Sequence, residues 1–335
     1  MAFTFSRALA VIPMVALAAP ALAAELTPLA AVEMRGKGPT PMVLIPGTMC
    51  DWTVWQAFMD RNADKYTMYA VTLPGFGGSA APKRDENDKG TPWIDNAVAA
   101  VQKMIAEKNL KSPVIVGHSL GGLVALRVGA AMGDKAGKIV TVDGPPVMPL
   151  GPGFQGAKRA EMIEQTLGSA LRNLGEEQWN GQRKTMFQSM VTDSKRAAEL
   201  GEMASKTTRD AAVEYYIELL KTDATPELPK MTAPTLAMAA LDPTQTDDRR
   251  KGWTEQMAKA PKATVIFFEQ TRHFIMDDRT TEFDAAIAGF VAGKEVTGYT
   301  APAPAPAPTP KPAPAPTPAP EPAGPAQVKP APHAP

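Results

Sequence analysis

The sequence predicts an α/β fold, in which helices cover both faces of a mostly parallel, doubly wound sheet, with a helical cap inserted into it. Short runs of apolar and β-branched residues alternate with helical segments over residues 41–142 and again over residues 234–291. Such alternation is typical of a parallel sheet covered by helices. Residues 145–228 contain no convincing strand. With 335 residues, the chain can form one large domain with an insertion.

The first half of the chain supplies most of the predicted sheet. A first strand is expected within residues 26–32, and the continuous apolar run of residues 41–45 predicts a buried strand. Asp51 is a candidate N-cap of a short helix. Residues 66–71 predict the next strand, and residues 91–110 predict a helix because their apolar side chains recur every three or four positions.

A further strand, helix and strand complete this half, over residues 114–118, 120–131 and 138–144. The last of these strands ends at an acidic residue, Asp143. We place the first part of the core at residues 24–144.

The inserted cap is predicted at residues 145–228, and the core resumes at residues 229–296. The cap has helical spacing over residues 157–174, 176–191, 194–204 and 207–220. Some of its apolar residues are expected to pack on the core and others to line a pocket. Candidates for both roles are Phe154, Met162, Leu171, Trp179, Met186, Phe187, Met190, Tyr215 and Tyr216.

After the cap, residues 234–243 predict a strand that runs into Asp242. A helix is predicted over residues 249–260, the last strand over residues 263–268, and the last helix over residues 282–291.

Both ends of the chain differ in composition from the core. Residues 1–23 have the pattern of a secretory signal peptide: a weakly basic start, a short apolar stretch and a small-residue cleavage site. Residues 297–335 form a tail of Ala-Pro repeats, which favours extended polyproline II structure. The first segment therefore predicts a periplasmic or secreted protein. We expect the tail to act as a spacer, a cell-envelope contact or an inert segment.

Composition excludes several kinds of partner. The formal net charge is zero and no long block of like charge occurs, so neither nucleic acid nor an anionic membrane surface is an expected partner. No stretch after the signal peptide is long and apolar enough for an integral membrane segment. Cys50 is the only cysteine, so an internal disulfide cannot form, and we expect it to be a small core residue.

The most informative stretch is Gly117-His118-Ser119-Leu120-Gly121, a G-x-S-x-G motif between a predicted strand and a predicted helix. Glycines on both sides allow the strand and the helix to approach closely around the serine. The sharp turn exposes the Ser119 hydroxyl and directs the N–H of Leu120, at the start of the helix, toward an anion formed there.

These residues resemble the α/β-hydrolase fold family, and the resemblance extends over about residues 41–294. It implies that Ser119 is the nucleophile. It also implies that the residue after Gly47 donates a second backbone N–H to an oxyanion hole, which assigns Thr48 and Leu120 to that hole. Pro46 stands where the family commonly has histidine. Because the nucleophile position holds serine and not aspartate, the sequence argues against dehalogenase and epoxide hydrolase chemistry.

The base follows by elimination among three histidines. His118 lies within the motif, where we expect its side chain to point away from the serine, and His333 lies in the tail. His273 remains, in the loop after the last strand, where the family has its base.

The acid is less constrained by the sequence. Asp242 is favoured because it ends the strand after the cap, as the family's acid commonly does. Asp247 and Asp248 in the same loop are alternatives, as is Asp143, at a position that some family members use.

The chain is therefore expected to be an exported serine hydrolase. Its substrates would be small-molecule carboxylic esters or lactones, cleaved through an acyl-enzyme intermediate with the order Ser119, Asp242, His273. No cofactor or metal is required, and no His/Cys cluster has zinc-binding spacing. Amidase, peptidase or cofactor-free perhydrolase activity would use the same triad. A non-catalytic binding or cell-wall-associated protein on the same scaffold is the alternative from another class.

Overall fold

The computed structural model describes residues 26–82, 92–151, 153–242 and 247–301. The predicted signal peptide and residues 302–335 of the predicted tail lie outside these ranges. None of the helices in the described ranges has the length and apolar character needed to cross a membrane.

The core is a seven-stranded sheet in which one edge strand is antiparallel and the other strands are parallel. This confirms the predicted fold class. Its strand order is β1-β3-β2-β4-β5-β6-β7. The strands are β1 (Ala31–Arg35), β2 (Thr40–Ile45), β3 (Tyr66–Thr72), β4 (Val114–His118), β5 (Lys138–Val142), β6 (Thr235–Leu241) and β7 (Ala263–Glu269).

The first strand begins later than the sequence predicted, at Ala31 and not near residue 26. Its register explains the shift, since Ala31 lies opposite Thr72, the last residue of β3. Along β1 the side chains alternate between half-buried and exposed, as expected for an edge strand that packs on one face only.

The centre of the sheet is buried on both faces. Leu44, Val116, Val140 and Leu236 lie side by side on β2, β4, β5 and β6, and all four are fully buried. Continuous apolar runs of this kind are typical of parallel strands with helices on both sides. The carboxyl ends of these strands therefore meet along one edge of a rigid layer, and the site described below lies at that edge.

Helices cover the two faces. The core helices are α1 (Gln56–Arg61), α2 (Trp93–Glu107), α3 (Leu120–Met132), α9 (Asp247–Met257), α10 (Ile275–Asp278) and α11 (Thr280–Val291). Buried residues of α2, α3 and α9 pack in one apolar cluster, and those of α1, α10 and α11 pack in another. Asp51 caps the 3₁₀ turn before α1, as predicted, by accepting a hydrogen bond from the N–H of Thr53 at 2.9 Å.

The inserted segment is helical. It contains α4 (Arg159–Ile163), α5 (Ser169–Arg172), α6 (Glu176–Met190), α7 (Ser194–Ser205) and α8 (Arg209–Lys221). The helix predicted over residues 157–174 includes one π-helical turn, Glu164–Gly168, between α4 and α5.

Specific hydrogen bonds join the inserted segment to the core and hold it together. The Glu218 carboxylate of α8 accepts from the N–H groups of Trp93 and Ile94 at 2.9 Å each, and so satisfies the free donors at the start of α2. The buried Arg159 guanidinium donates to the carbonyl oxygens of Leu220 and Met148 at 2.8 Å each. The Glu218 contacts thus join the segment to α2, and the Arg159 contacts hold parts of the segment together.

Candidate active site

Ser119 lies on a sharp turn between β4 and α3, with φ 54° and ψ −120°. A positive φ is costly for a residue with a side chain and is concentrated at functional sites. The turn requires glycine beside it, since a Cβ on Gly117 would lie 1.9 Å from the carbonyl oxygen of Gly121. The G-x-S-x-G motif thus forms the strained strand-to-helix turn that the sequence predicted.

His273 follows β7, and its ring is oriented by a carboxylate. The Nδ1 atom of His273 lies 2.7 Å from Oδ2 of Asp143. Both residues line the same cavity as Ser119. An imidazole held in this way through Nδ1 has its other nitrogen available for proton transfer.

The aspartate at His273 differs from the one that the sequence favoured. Asp242, the preferred candidate, lines the cavity at the end of β6, but Asp143 at the end of β5 accepts the hydrogen bond of His273 Nδ1. β5 and β6 are adjacent parallel strands, so both aspartates reach the same edge of the sheet. Asp143 is brought to the ring by a local turn, in which its own φ is 46°.

The two other acidic candidates begin α9. Asp247 and Asp248 are both exposed, and Asp248 lines the cavity. At the start of a helix their charges are stabilised by the helix dipole and by water.

The second carboxylate oxygen of Asp143 is also held. Oδ1 accepts from Nη2 of Arg249 at 2.7 Å and from the N–H of Ala240 at 3.1 Å. Nε of the same arginine donates to the carbonyl oxygen of Ala240 at 2.8 Å. Asp143 is therefore fixed between His273 on one side and Arg249 on the other.

These partners decide the charge of Asp143. Burial by itself would raise the pKa of the carboxyl group, because a charged group is poorly solvated in the interior. The hydrogen bond and charge of His273, the charge of Arg249 and the N–H of Ala240 together outweigh that penalty, so the pKa lies below its usual value. Asp143 is thus ionised at neutral pH and can stabilise a positively charged His273.

Thr48 and Leu120, the predicted oxyanion-hole residues, both have free backbone donors. Neither N–H donates to another residue within the described ranges. Thr48 lines the cavity, and Gly47 lies close to the serine, since a Cβ on Gly47 would lie 3.0 Å from the Cβ of Ser119. This close approach disfavours any residue larger than glycine at position 47.

His118 does not lie where the sequence analysis expected. Its buried ring lines the cavity, 4.6 Å from the ring of His273 between centroids, and its Nε2 lies 3.1 Å from the His273 carbonyl oxygen. Neighbouring side chains of a strand point to opposite faces, but Ser119 has left the strand with a positive φ. Burial, and next the charge of His273, lower the pKa of His118 to about 3, so this ring is neutral and is not a second base.

The cavity above these residues has a volume of about 690 Å³. Its walls are largely apolar, and six of the nine cap residues singled out in the sequence contribute to them: Leu171, Trp179, Met186, Phe187, Met190 and Tyr216. Tyr215 instead packs against the rings of Phe76 and Trp93 in the interior. The size and apolar lining are typical of a small-molecule site.

A cysteine nucleophile and a metal site find less support than a serine nucleophile. Cys50 also lines the cavity, but burial, and next the charge of Asp51, raise the pKa of its thiol to about 12, so it is protonated and weakly nucleophilic. Among the described residues, no group of three or more His, Cys, Asp or Glu side chains could hold a metal ion.

Sequence reasoning missed Arg249 altogether. No motif marks it, because its role depends on contact with Asp143, 106 positions away. The sequence does carry a signal for Asp143, an acidic residue at the end of a buried strand, but Asp242 carries the same signal.

Comparison with known proteins agrees with the fold. Residues 42–286 match the sequence model of the Alpha/beta hydrolase family. A pimeloyl-[acyl-carrier protein] methyl ester esterase of Aeromonas salmonicida is 32% identical over 115 residues, which are 34% of this chain and 41% of that protein. A (lyso)-N-acylphosphatidylethanolamine lipase of Bos taurus is 28% identical over 36% of this chain and 34% of its own. These matches span about two fifths or less of those two relatives.

Solved structures match over a larger part of the chain. An esterase from Exiguobacterium antarcticum superimposes with a TM-score of 0.64 and 18% identity, over 78% of this chain and 94% of its own. The enol-lactonase from Burkholderia xenovorans LB400 gives a TM-score of 0.60 and 16% identity, over 78% and 96%. At sequence identities this low, the similarity shows a shared fold and nothing further.

Proposed function

Because the chain belongs to the alpha/beta hydrolase family, we propose that it is an exported serine hydrolase that cleaves carboxylic esters or lactones. In this proposal Ser119 is the nucleophile, His273 the base and Asp143 the acid. The observation that carries it is the 2.7 Å contact between His273 Nδ1 and Asp143 Oδ2, in the cavity that Ser119 also lines. The esterase and lipase names of the relatives support the same reaction class.

The first half-reaction acylates the serine. His273 takes the Ser119 proton on Nε2 while the serine oxygen attacks the ester carbonyl carbon. The carbonyl oxygen becomes an anion, and the N–H groups of Thr48 and Leu120 stabilise it, by about 3 kcal/mol for each such donor. The imidazolium then gives its proton to the departing alcohol, and the C–O bond to that alcohol breaks.

The second half-reaction releases the acid. His273 takes a proton from water, the resulting hydroxide attacks the acyl-enzyme, and a second oxyanion forms in the same hole. Its collapse returns the proton to Ser119. Throughout, the ionised Asp143 holds the ring orientation and offsets the charge on the imidazolium.

The active serine is tested with a fluorophosphonate probe on the purified mature chain. We expect the wild-type protein to be labelled, and Ser119→Ala and His273→Ala to prevent labelling while circular dichroism shows that both variants are folded. Thr185→Ala, an exposed substitution on α6, is the control and should label normally. A folded wild-type protein that is neither labelled nor able to hydrolyse p-nitrophenyl butyrate contradicts the proposal and favours a non-catalytic binding protein.

Export rests on residues 1–23, which have the pattern of a signal peptide. We expect the processed chain to begin after Ala23 and to be recovered from the periplasm or the medium. N-terminal sequencing of the fractionated protein tests this, and an unprocessed chain in the cytoplasm contradicts it.

A further inference from the structure

Helix α6 presents one face to the cavity, and this face combines apolar side chains with a single cation. Trp179, Met186, Phe187 and Met190 recur at helical spacing and line the cavity. Arg183 lies on the same face and also lines the cavity. Its side chain is half-buried, whereas Lys184, the next residue, is exposed.

Arg183 is distinguished from the other arginines of the cavity by its lack of a partner. Arg249 donates to Asp143 and to the carbonyl oxygen of Ala240. Arg272 donates to the carbonyl oxygen of Val191 at 2.9 Å. For Arg183, the described part of the chain provides neither an ion pair nor a hydrogen bond.

The carboxylates that line the cavity do not neutralise Arg183. Asp143 is held by His273 and Arg249, and Asp242 has an interaction of its own. Asp248 is exposed to water at the start of α9. A guanidinium keeps its charge at any physiological pH, so Arg183 gives this wall of the cavity a fixed positive charge.

We infer that Arg183 binds a carboxylate of the substrate, so that the substrates are esters that carry a free carboxylate group. This inference rests on the proposed ester hydrolysis at Ser119 and names the class of ester. A guanidinium can bind a carboxylate with two parallel hydrogen bonds, which gives both strength and orientation. The apolar residues on either side of Arg183 would contact the hydrocarbon chain between the carboxylate and the ester.

The test compares matched pairs of esters in a pH-stat assay. Monoethyl adipate and ethyl hexanoate share the alcohol and differ in a terminal carboxylate on the acyl part. 3-Carboxypropyl butyrate and butyl butyrate place the same difference on the alcohol part. In one of the two pairs, we expect kcat/KM to be about tenfold or more higher for the charged ester, mainly through KM, as for a charge-assisted hydrogen bond.

Substitutions then assign the preference to one residue. Arg183→Gln should reduce the charged-to-neutral ratio of kcat/KM by about tenfold. Arg183→Lys should retain part of the ratio, because the charge stays and the paired geometry is lost. Lys184→Gln is the matched control and should leave the ratio unchanged. A wild-type ratio near one in both pairs, or a ratio that Arg183→Gln does not alter, overturns the inference.

A binding measurement separates this inference from the proposed reaction. In the Ser119→Ala variant, calorimetry with adipate should detect binding that Arg183→Gln weakens about tenfold or more. If the wild-type protein hydrolyses no ester while adipate still binds in this Arg183-dependent way, the proposed function fails and the carboxylate site stands. If esters are hydrolysed without preference and adipate does not bind, the carboxylate site fails and the proposed function stands.

Discussion

Replacing Asp143 with asparagine is the most direct test of the active-site geometry. Asparagine has nearly the same shape, and its side-chain oxygen can still accept from Arg249 and from the N–H of Ala240. Its amide group, however, faces Nδ1 of His273 with a donor where Oδ2 now accepts at 2.7 Å. This favours the His273 tautomer that carries its proton on Nε2. In that tautomer Nε2 cannot accept the proton of Ser119.

The expected loss is large. In a Ser-His-Asp triad, the same substitution lowers kcat by about 10⁴-fold with the geometry intact. At about 1.4 kcal/mol per tenfold change, this is about 5 kcal/mol of transition-state stabilisation. Alanine is a poorer choice, because it would leave Arg249 and the Ala240 N–H without their acceptor in a buried place and would destabilise the fold as well.

Asp242→Asn is the matched control, since Asp242 lines the same cavity one strand away. We expect its kcat for p-nitrophenyl butyrate to stay within about threefold of the wild-type value, because a group outside the triad loses little transition-state stabilisation. The rate of fluorophosphonate labelling should follow kcat in both variants. A loss of about 10³-fold or more in Asp242→Asn, with Asp143→Asn nearly as active as wild type, would refute the assignment of Asp143 as the acid.

Asp143→Asn should also change how the stability of the protein depends on pH. The pKa of Asp143 is lowered by folding, so its ionisation stabilises the native state above the unfolded-state pKa of about 3.9, and this stabilisation is lost as the pH falls through the lower folded-state pKa. Asp143→Asn removes this contribution. Urea denaturation between pH 5 and pH 2 should therefore show a smaller loss of stability in the variant than in the wild-type protein.

Further predictions concern His118, Gly117 and Cys50. His118→Gln retains a donor for the His273 carbonyl oxygen and should retain more kcat than His118→Phe. Because folding lowers the pKa of His118 to about 3, wild-type stability in urea should fall between about pH 6.5 and pH 3 by up to about 1.4 kcal/mol per pH unit, and less steeply in His118→Gln. Gly117→Ala should fail to give soluble, folded protein, because a Cβ there would meet Gly121 at 1.9 Å, whereas Gly201→Ala on α7 has no atom within 4 Å of its new Cβ and should raise the melting temperature. Cys50 should resist a thiol reagent at pH 8 in the native protein and react in urea, and fast native-state reaction would contradict its burial.

Much of the fold is encoded in local sequence patterns. The buried strands follow from continuous apolar runs, and the turn at Ser119 follows from glycines whose absent side chains allow backbone contact. These signals involve residues close together in the chain, so they can be identified without knowledge of the packing. The start of β1 was predicted less well because an edge strand is defined by its pairing with β3, not by its own composition.

The sequence predicts those features of the candidate site that follow from the order of the parallel strands. Ser119, Asp143, Asp242 and His273 follow β4, β5, β6 and β7, and the carboxyl ends of parallel strands meet at one edge of the sheet. Any acidic residue at the end of β5 or β6 therefore satisfies the topology. The chain carries one at each, and the sequence gives no local reason to prefer the first.

The choice between the two aspartates is made by contacts that are distant in the chain. Asp143 turns toward His273 through a positive φ, which costs conformational energy unless other contacts stabilise it. Those contacts are made by Ala240, 97 positions away, and by Arg249, 106 positions away, and both bind the carboxylate oxygen that His273 does not use. Arg249 also donates to the carbonyl oxygen of Ala240, so one arginine joins the end of β6 to the carboxylate that follows β5. The orientation of Asp143 toward His273 thus depends on a residue of α9 that carries no recognisable motif. For this reason the sequence could identify the candidate aspartates but not select between them.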